Sequence, residues 1–301
     1  MLRRAAVAVS LVVALAGCQA PLAGTGPDAA GPAAGRPGIG PSHDARPEAA
    51  LSNADPEVRT ITFTRGDRRL ETVVVTPRAS HRYPVILFGH GLHAVPQVYG
   101  ELIKRWVAAG FVVAAPAFPA TRFGVPKVEV RDVLNQPADL SAVLDGLLAL
   151  DPADPVRRRI DAERVVVAGH SAGGITALGM LTADGPEGRD RRVDAGIILA
   201  GSALGVGQRF TGEPVPVLFV HTDDDPTVPA STARSAFRAV PWPKAFLALP
   251  GKEHVTPYMS PGDPHFATVA AVTTDFLRWS VHRDGPARER LNRTPGLTGT
   301  L

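Results

Sequence analysis

The chain has 301 residues, 45% of them hydrophobic and 20% charged, which is material for a sizeable core and excludes a chain disordered throughout. Its 32 Lys and Arg against 29 Asp and Glu give a formal net charge of +3, and no basic run repeats along the chain, so no nucleic-acid partner is expected. A single cysteine excludes a disulfide framework and any cysteine-based zinc site.

Residues 1–17 have the parts of an export signal. Arg3 and Arg4 supply a positive end, an apolar run broken only by Ser10 follows, and Leu15-Ala16-Gly17-Cys18 supplies a small-residue cleavage site. The run is too short to span a membrane, which takes about 20 apolar residues. The segment resembles a bacterial lipoprotein signal, in which Cys18 receives lipid. That implies an exported, envelope-located protein held to a membrane through Cys18. Residues 18–55, rich in Pro, Gly and Ala without apolar periodicity, are expected to be a flexible tether.

A folded domain is expected over 56–283. Residues 60–64 and 70–76 read as paired strands about a turn at Gly66-Asp67. A short apolar run at 85–88 is followed by helical spacing at 99–109, with Leu102, Ile103, Trp106 and Val107 on one side. After the run at 111–115 comes an amphipathic helix at 138–150, with Pro137 near its first turn and Asp139 favoured there by the helix dipole. Asp151, Asp154 and Asp161 lie in a Pro-rich connection without His neighbours and read as a solvated loop. The run at 165–168 leads into a helix at 172–182. Further runs at 195–200, 217–221 and 245–249 alternate with helices at 231–240 and 266–279. Met180 and Trp106 read as core, His265 as peripheral, and Trp242 as a residue packing under its connection. The tail, 284–301, contains Pro286, Pro295, Gly296 and Gly299 and is expected to be weakly ordered; its Asn292-Arg293-Thr294 acceptor pattern is assigned no role.

Continuous apolar runs alternating with longer amphipathic segments indicate an α/β fold, a doubly wound, mostly parallel sheet covered on both faces, opened by an antiparallel hairpin. Ligands of such sheets sit beyond the carboxyl ends of the strands. The most informative stretch lies there: the run ending at Ala168 passes through Gly169-His170-Ser171-Ala172-Gly173 into a helix. This is G-x-S-x-G in a strand-to-helix context, with Ser171 at the apex and free N–H groups of a helix start beside it. A serine hydroxyl needs a general base and a carboxylate to orient that base, and in this arrangement they follow the serine in the order acid, then His. Asp223, Asp224 and Asp225 follow the run at 217–221, and His254 lies on the loop after 245–249.

These motifs together resemble the α/β-hydrolase superfamily of serine esterases and lipases, nearest to bacterial dienelactone-hydrolase-like, platelet-activating-factor-acetylhydrolase-like and polyester-hydrolase groups, over about residues 58–280. The resemblance implies that the acid stands directly before the proline of a D-x-D-P-x-V-P turn, which is Asp225; Asp223 and Asp224 remain alternatives. Thr222 departs from the common pattern, which has Gly there. Gly89-His90-Gly91-Leu92 fits the H-G-hydrophobic element, implying that the backbone N–H groups of Leu92 and Ala172 form the oxyanion hole; His90 reads as a brace of that loop, and His93 as a solvent-facing loop residue with substrate contact as the alternative. Asn135 to Leu140 resembles a stretch carried before a helix in the dienelactone-hydrolase-like group.

No paired-His motif suggests a metal, no dinucleotide fingerprint appears, and no cofactor is expected. Ser at the elbow argues against the dehalogenases and epoxide hydrolases of the superfamily. The short connection from Gly201 to Pro214 leaves no room for a large lid domain. The sequence therefore reads as a serine carboxylic-ester hydrolase acting on short-acyl, lipid-like or polyester substrates. The alternatives are an acyltransferase and a non-catalytic envelope lipoprotein that binds a ligand or partner on the same scaffold.

Overall fold

A computed structural model of the chain describes residues 56–185 and 188–301; the signal and tether expected over 1–55, with Cys18, lie outside the described residues. Its sheet has nine strands: β1 (Glu57–Arg65), β2 (Arg68–Thr76), β3 (Tyr83–Gly89), β4 (Val112–Ala117), β5 (Ile160–His170), β6 (Val193–Leu199), β7 (Val217–Thr222), β8 (Lys244–Leu249) and β9 (Leu297–Thr300). Their spatial order is β1-β2-β4-β3-β5-β6-β7-β8-β9. From β4 through β8 neighbouring strands pair in parallel, while β1, β2 and β9 pair antiparallel at the two ends. The two ends also differ from the middle in composition. β3 is buried at every position, as a strand covered on both faces must be, whereas β1 alternates and leaves every second residue to solvent.

Helices cover both faces. On one side α1 (Gly100–Ala108), the short α6 (Thr256–Met259) and α7 (Phe266–His282) pack on the sheet. On the other lie α2 (Gln136–Leu148), α4 (Ala172–Gly179) and α5 (Ala230–Ala239). α1 buries Leu102, Ile103, Trp106 and Val107, each worth roughly 1.5–3 kcal/mol on full burial. The Trp106 indole N–H donates to Thr273 Oγ1 of α7 at 3.0 Å, so the one polar atom of that ring does not go unpaired in the core. Met180 and Trp242 are buried as expected, Trp242 beneath Arg189 and edge-on to Phe210.

Three stretches depart from the sequence reading. The connection of Asp151 to Asp161 contains a short helix, α3 (Pro155–Arg159). Asp154 caps it by accepting the Val156 N–H and also pairs with Arg59. Asp139, assigned to the first turn of α2 for its dipole, is fully buried there, and its carboxylate holds Arg65 and Arg68. The tail is the clearest correction. Residues 284–301 are not weakly ordered but form α8 (Gly285–Asn292) and β9, extending the domain past 283. Asp284 caps α8, accepting the Ala287 N–H at 3.0 Å; Pro286 occupies the first turn; Ala287 and Leu291 are buried; and Arg290 grips Asp275 of α7. Gly299 carries φ 125° and passes so close to β8 that a Cβ would sit 2.2 Å from the Lys244 carbonyl oxygen. Pro286 thus belongs to a helix start and Gly299 to a close strand approach, while Pro295 and Gly296 form the turn between α8 and β9.

Between β6 and β7, residues 200–216 contain no helix, so no lid domain is inserted there.

Candidate active site

β5 delivers the chain to Ser171 at the carboxyl end of the sheet. Ser171 has φ 55° and ψ −118°, a conformation that costs a non-glycine residue about 1–3 kcal/mol. Its N–H donates to the Leu199 carbonyl at 2.8 Å, tying the turn to the end of β6. The turn needs its glycines: a Cβ on Gly169 would lie 2.0 Å from the Gly173 carbonyl oxygen, and one on Gly173 would lie 2.0 Å from that of Gly89. Ala172 is the first residue of α4, where backbone N–H groups have no partner within the helix.

His254 stands on the loop after β8, which leaves the strand through Gly251 at φ 109°. Its Nε2 lies 2.9 Å from Ser171 Oγ, and its Nδ1 lies 2.6 Å from Asp225 Oδ2. A carboxylate only accepts, so Nδ1 carries the proton and Nε2 is free to accept from the serine hydroxyl. Of the three adjacent aspartates, Asp225 alone is buried. Its Oδ1 accepts the N–H groups of Thr227 and Val228 at 2.8 and 2.9 Å. Asp223 is exposed and paired with Arg234; Asp224 is exposed. Burial alone would raise the Asp225 pKa, but His221, His254 and the Val228 N–H outweigh it and hold the carboxyl well below the usual range.

The loop after β3 closes on Ser171 from the other side. A Cβ on Gly91 would be 3.4 Å from that of Ser171, so the residue preceding Leu92 closely approaches the serine. His90 is buried within this loop: Nδ1–H donates to the Gly91 carbonyl at 2.8 Å, and Nε2 accepts the Phe118 N–H at 3.0 Å. Burial pulls its pKa down to about 4, so it is a neutral brace. His93 is exposed at φ 54°, its N–H bonded to the Thr121 carbonyl and its ring 5.0 Å from that of the exposed Phe123.

The sequence reading gave no role to several residues around these groups. Thr222, the departure from the common pattern, donates its hydroxyl to the Glu253 carbonyl at 3.1 Å and so anchors the His254 loop. Its mismatch was the one available signal. His221 lies beneath Asp225, with Nε2 at 2.8 Å from the Val228 carbonyl oxygen and 3.4 Å from Asp225 Oδ2. His170, next to the serine, and Tyr99 are buried between the two loops. Arg68 reaches across to Asp132 and Asp139, whose hydrogen bonds and charges raise its pKa despite burial. Gln136 bridges the hydroxyls of Thr121 and Thr176.

Among the described residues no group of three or more His, Cys, Asp or Glu side chains could hold a metal ion. An open groove of about 850 Å³ lined by Asp224, Glu253, Thr256, Asp263 and His265 skirts the base loop, but Ser171, Asp225 and His254 do not line it.

The family model described as Chlorophyllase matches residues 57–184. Cutinase est2 of Thermobifida alba is 28% identical over 60% of this chain and 56% of its own length. Platelet-activating factor acetylhydrolase of Cavia porcellus is 25% identical, over 48% of this chain and 41% of its own. Chlorophyllase-1 of Citrus sinensis is 29% identical, over 46% of each chain. The chain spans about half the length of these relatives. With the sheet order and the glycine-lined turn at the serine, these matches show an α/β-hydrolase-type fold, similar to relatives that are ester hydrolases.

Proposed function

We propose that the chain is a serine carboxylic-ester hydrolase. The observation that carries this reading is the continuous line from Ser171 Oγ through His254 to Asp225, 2.9 and 2.6 Å, at the start of α4. In the first half-reaction Ser171 Oγ bonds to the ester carbonyl carbon while its proton passes to His254 Nε2. The carbonyl π electrons move onto oxygen, where the N–H groups of Leu92 and Ala172 stabilise the charge. Collapse of the intermediate breaks the bond to the alcohol oxygen, which leaves with the proton from His254. Water then attacks the acyl group, giving its proton to His254, and Ser171 departs with that proton. Asp225 fixes the imidazole tautomer and stabilises the cation formed in each step.

The substrate class is read from the connection between β6 and β7: residues 200–216 contain no helix and so no inserted lid domain, which suits short acyl chains, lipid-like esters or an exposed polyester chain. The names of the relatives, cutinase and acetylhydrolase, point the same way. A fluorophosphonate probe should label wild-type protein at Ser171 and leave Ser171→Ala unlabelled. An unlabelled wild type that also fails to hydrolyse a short p-nitrophenyl ester would overturn the reading. The lipobox ending at Cys18 supports a lipid-anchored protein of the bacterial envelope. Cys18→Ser should then shift activity from membranes to the soluble fraction with specific activity unchanged, and an N-terminus without lipid mass in a lipoprotein-competent host would exclude the anchor.

A further inference from the structure

The loop carrying Leu92 leaves the sheet from β3, and the loop carrying His254 leaves it from β8. Three strands stand between them, which at the usual spacing separates the two strand ends by roughly 19 Å. No backbone ladder can set one loop against the other, yet the reading above needs an oxyanion donor and a general base placed on the same substrate carbon. One buried side chain touches both halves. His170 Nε2 is 2.7 Å from the carbonyl oxygen of His254 itself. His170 Nδ1 is 2.8 Å from the Tyr99 hydroxyl, and that hydroxyl is 3.0 Å from the Gly91 backbone nitrogen, one residue before Leu92.

The hydrogen-bond directions are determined. The His254 carbonyl only accepts, so His170 Nε2 carries a proton. Burial, with the neighbouring His254 ring, pulls the His170 pKa down to about 3, so the ring is neutral and Nδ1 accepts. Tyr99 therefore donates its hydroxyl proton to His170 and accepts the Gly91 N–H on its oxygen. Each donor along the chain, the Gly91 N–H, the Tyr99 hydroxyl and His170 Nε2–H, thus meets one acceptor, ending at the His254 carbonyl. The rings are also packed in place: His170 lies 5.0 Å from His254 and 4.9 Å from Tyr258, between centroids, and both tyrosines are fully buried.

We propose that His170 is a positioning residue, setting the oxyanion loop against the base loop through the Tyr99 hydroxyl and the His254 carbonyl. This rests on the esterase reading, because only there do the two loops share a reacting atom. Misplacement of a donor or a base by a fraction of an ångström weakens transition-state contacts more than ground-state binding, so the effect belongs in kcat.

The test compares wild type, His170→Leu, Tyr99→Phe and the double variant on a short p-nitrophenyl ester. Rates are expressed per serine titrated by fluorophosphonate, so that a misfolded fraction does not count. Each single variant should lose about 10–100-fold in kcat with KM within about twofold, and the double variant should be no slower than the worse single, since both break one chain. A His170→Leu kcat equal to wild type, or losses that multiply in the double variant, would overturn the proposal while leaving the esterase reading intact. A wild type that takes no label and turns over no ester overturns both. If His170→Leu does not fold, Tyr99→Phe, which removes a single oxygen, decides alone: an unchanged kcat refutes the coupling.

Discussion

Ser171, Asp225 and His254 show what a single position can and cannot reveal before folding. The serine is conspicuous because Gly169 and Gly173 have no other use than the turn they permit, and their steric need is local in sequence. The acid is not, since three consecutive aspartates carry the same side chain and only burial separates them. With its Oδ1 held by two backbone N–H groups and its Oδ2 on His254, Asp225 is the one whose conversion to Asn should be severe, about 10⁴-fold in turnover. Asp223→Asn loses only an exposed pair with Arg234 and should cost little, as should Asp224→Asn. Steady-state kinetics with circular dichroism on all three variants checks this; an active Asp225→Asn beside a dead Asp223→Asn would move the acid two residues. Tyr99 and His170 were illegible for a different reason. Their bond spans 71 positions and exists only because β3 and β5 pair side by side.

At the level of elements, the strands buried on both faces were readable from their continuous apolar runs, and α1 and α7 from their spacing. The tail was misread because Pro286, Gly296 and Gly299 weigh as breakers in any local rule. The forces that order it are tertiary: the cap at Asp284, the Arg290–Asp275 pair and the burial of Leu291. These make α8 part of the cooperative unit. Leu291→Ala should therefore lower global unfolding stability by about 2–5 kcal/mol, the range for truncating a buried leucine. Urea denaturation followed by far-UV dichroism and by tryptophan fluorescence reads it. A midpoint shift worth less than about 0.5 kcal/mol, at the level of an exposed substitution, would mean that the tail adds nothing to the core.

For the molecule as a whole, buried neutral histidines tie stability to pH. His170 and His90 have folded pKa values lowered to about 3 and about 4, against about 6.5 in an unfolded chain. Below about pH 6.5 the unfolded state takes up protons that the native state refuses, so stability falls as pH drops toward those values, by up to about 1.4 kcal/mol per unit for each ring. Asp225 adds a loss of the same sign at lower pH, as its carboxylate, held well below the usual range, gains a proton first in the unfolded chain. The melting temperature should drop steadily from pH 7 to pH 4.5; a flat profile over that window would mean that neither ring is held neutral in the native state.

The uninterrupted coil between β6 and β7 has a kinetic consequence at interfaces. An esterase whose serine lies under a hinged cover gains activity abruptly when its substrate passes from dissolved monomers to droplets, because the droplet surface pulls the cover aside. Here residues 200–216 provide no such cover. Hydrolysis of a sparingly soluble triglyceride such as tributyrin should then rise along one smooth saturating curve through its solubility limit. A sharp break upward at that limit would mean that another segment closes over Ser171 in solution.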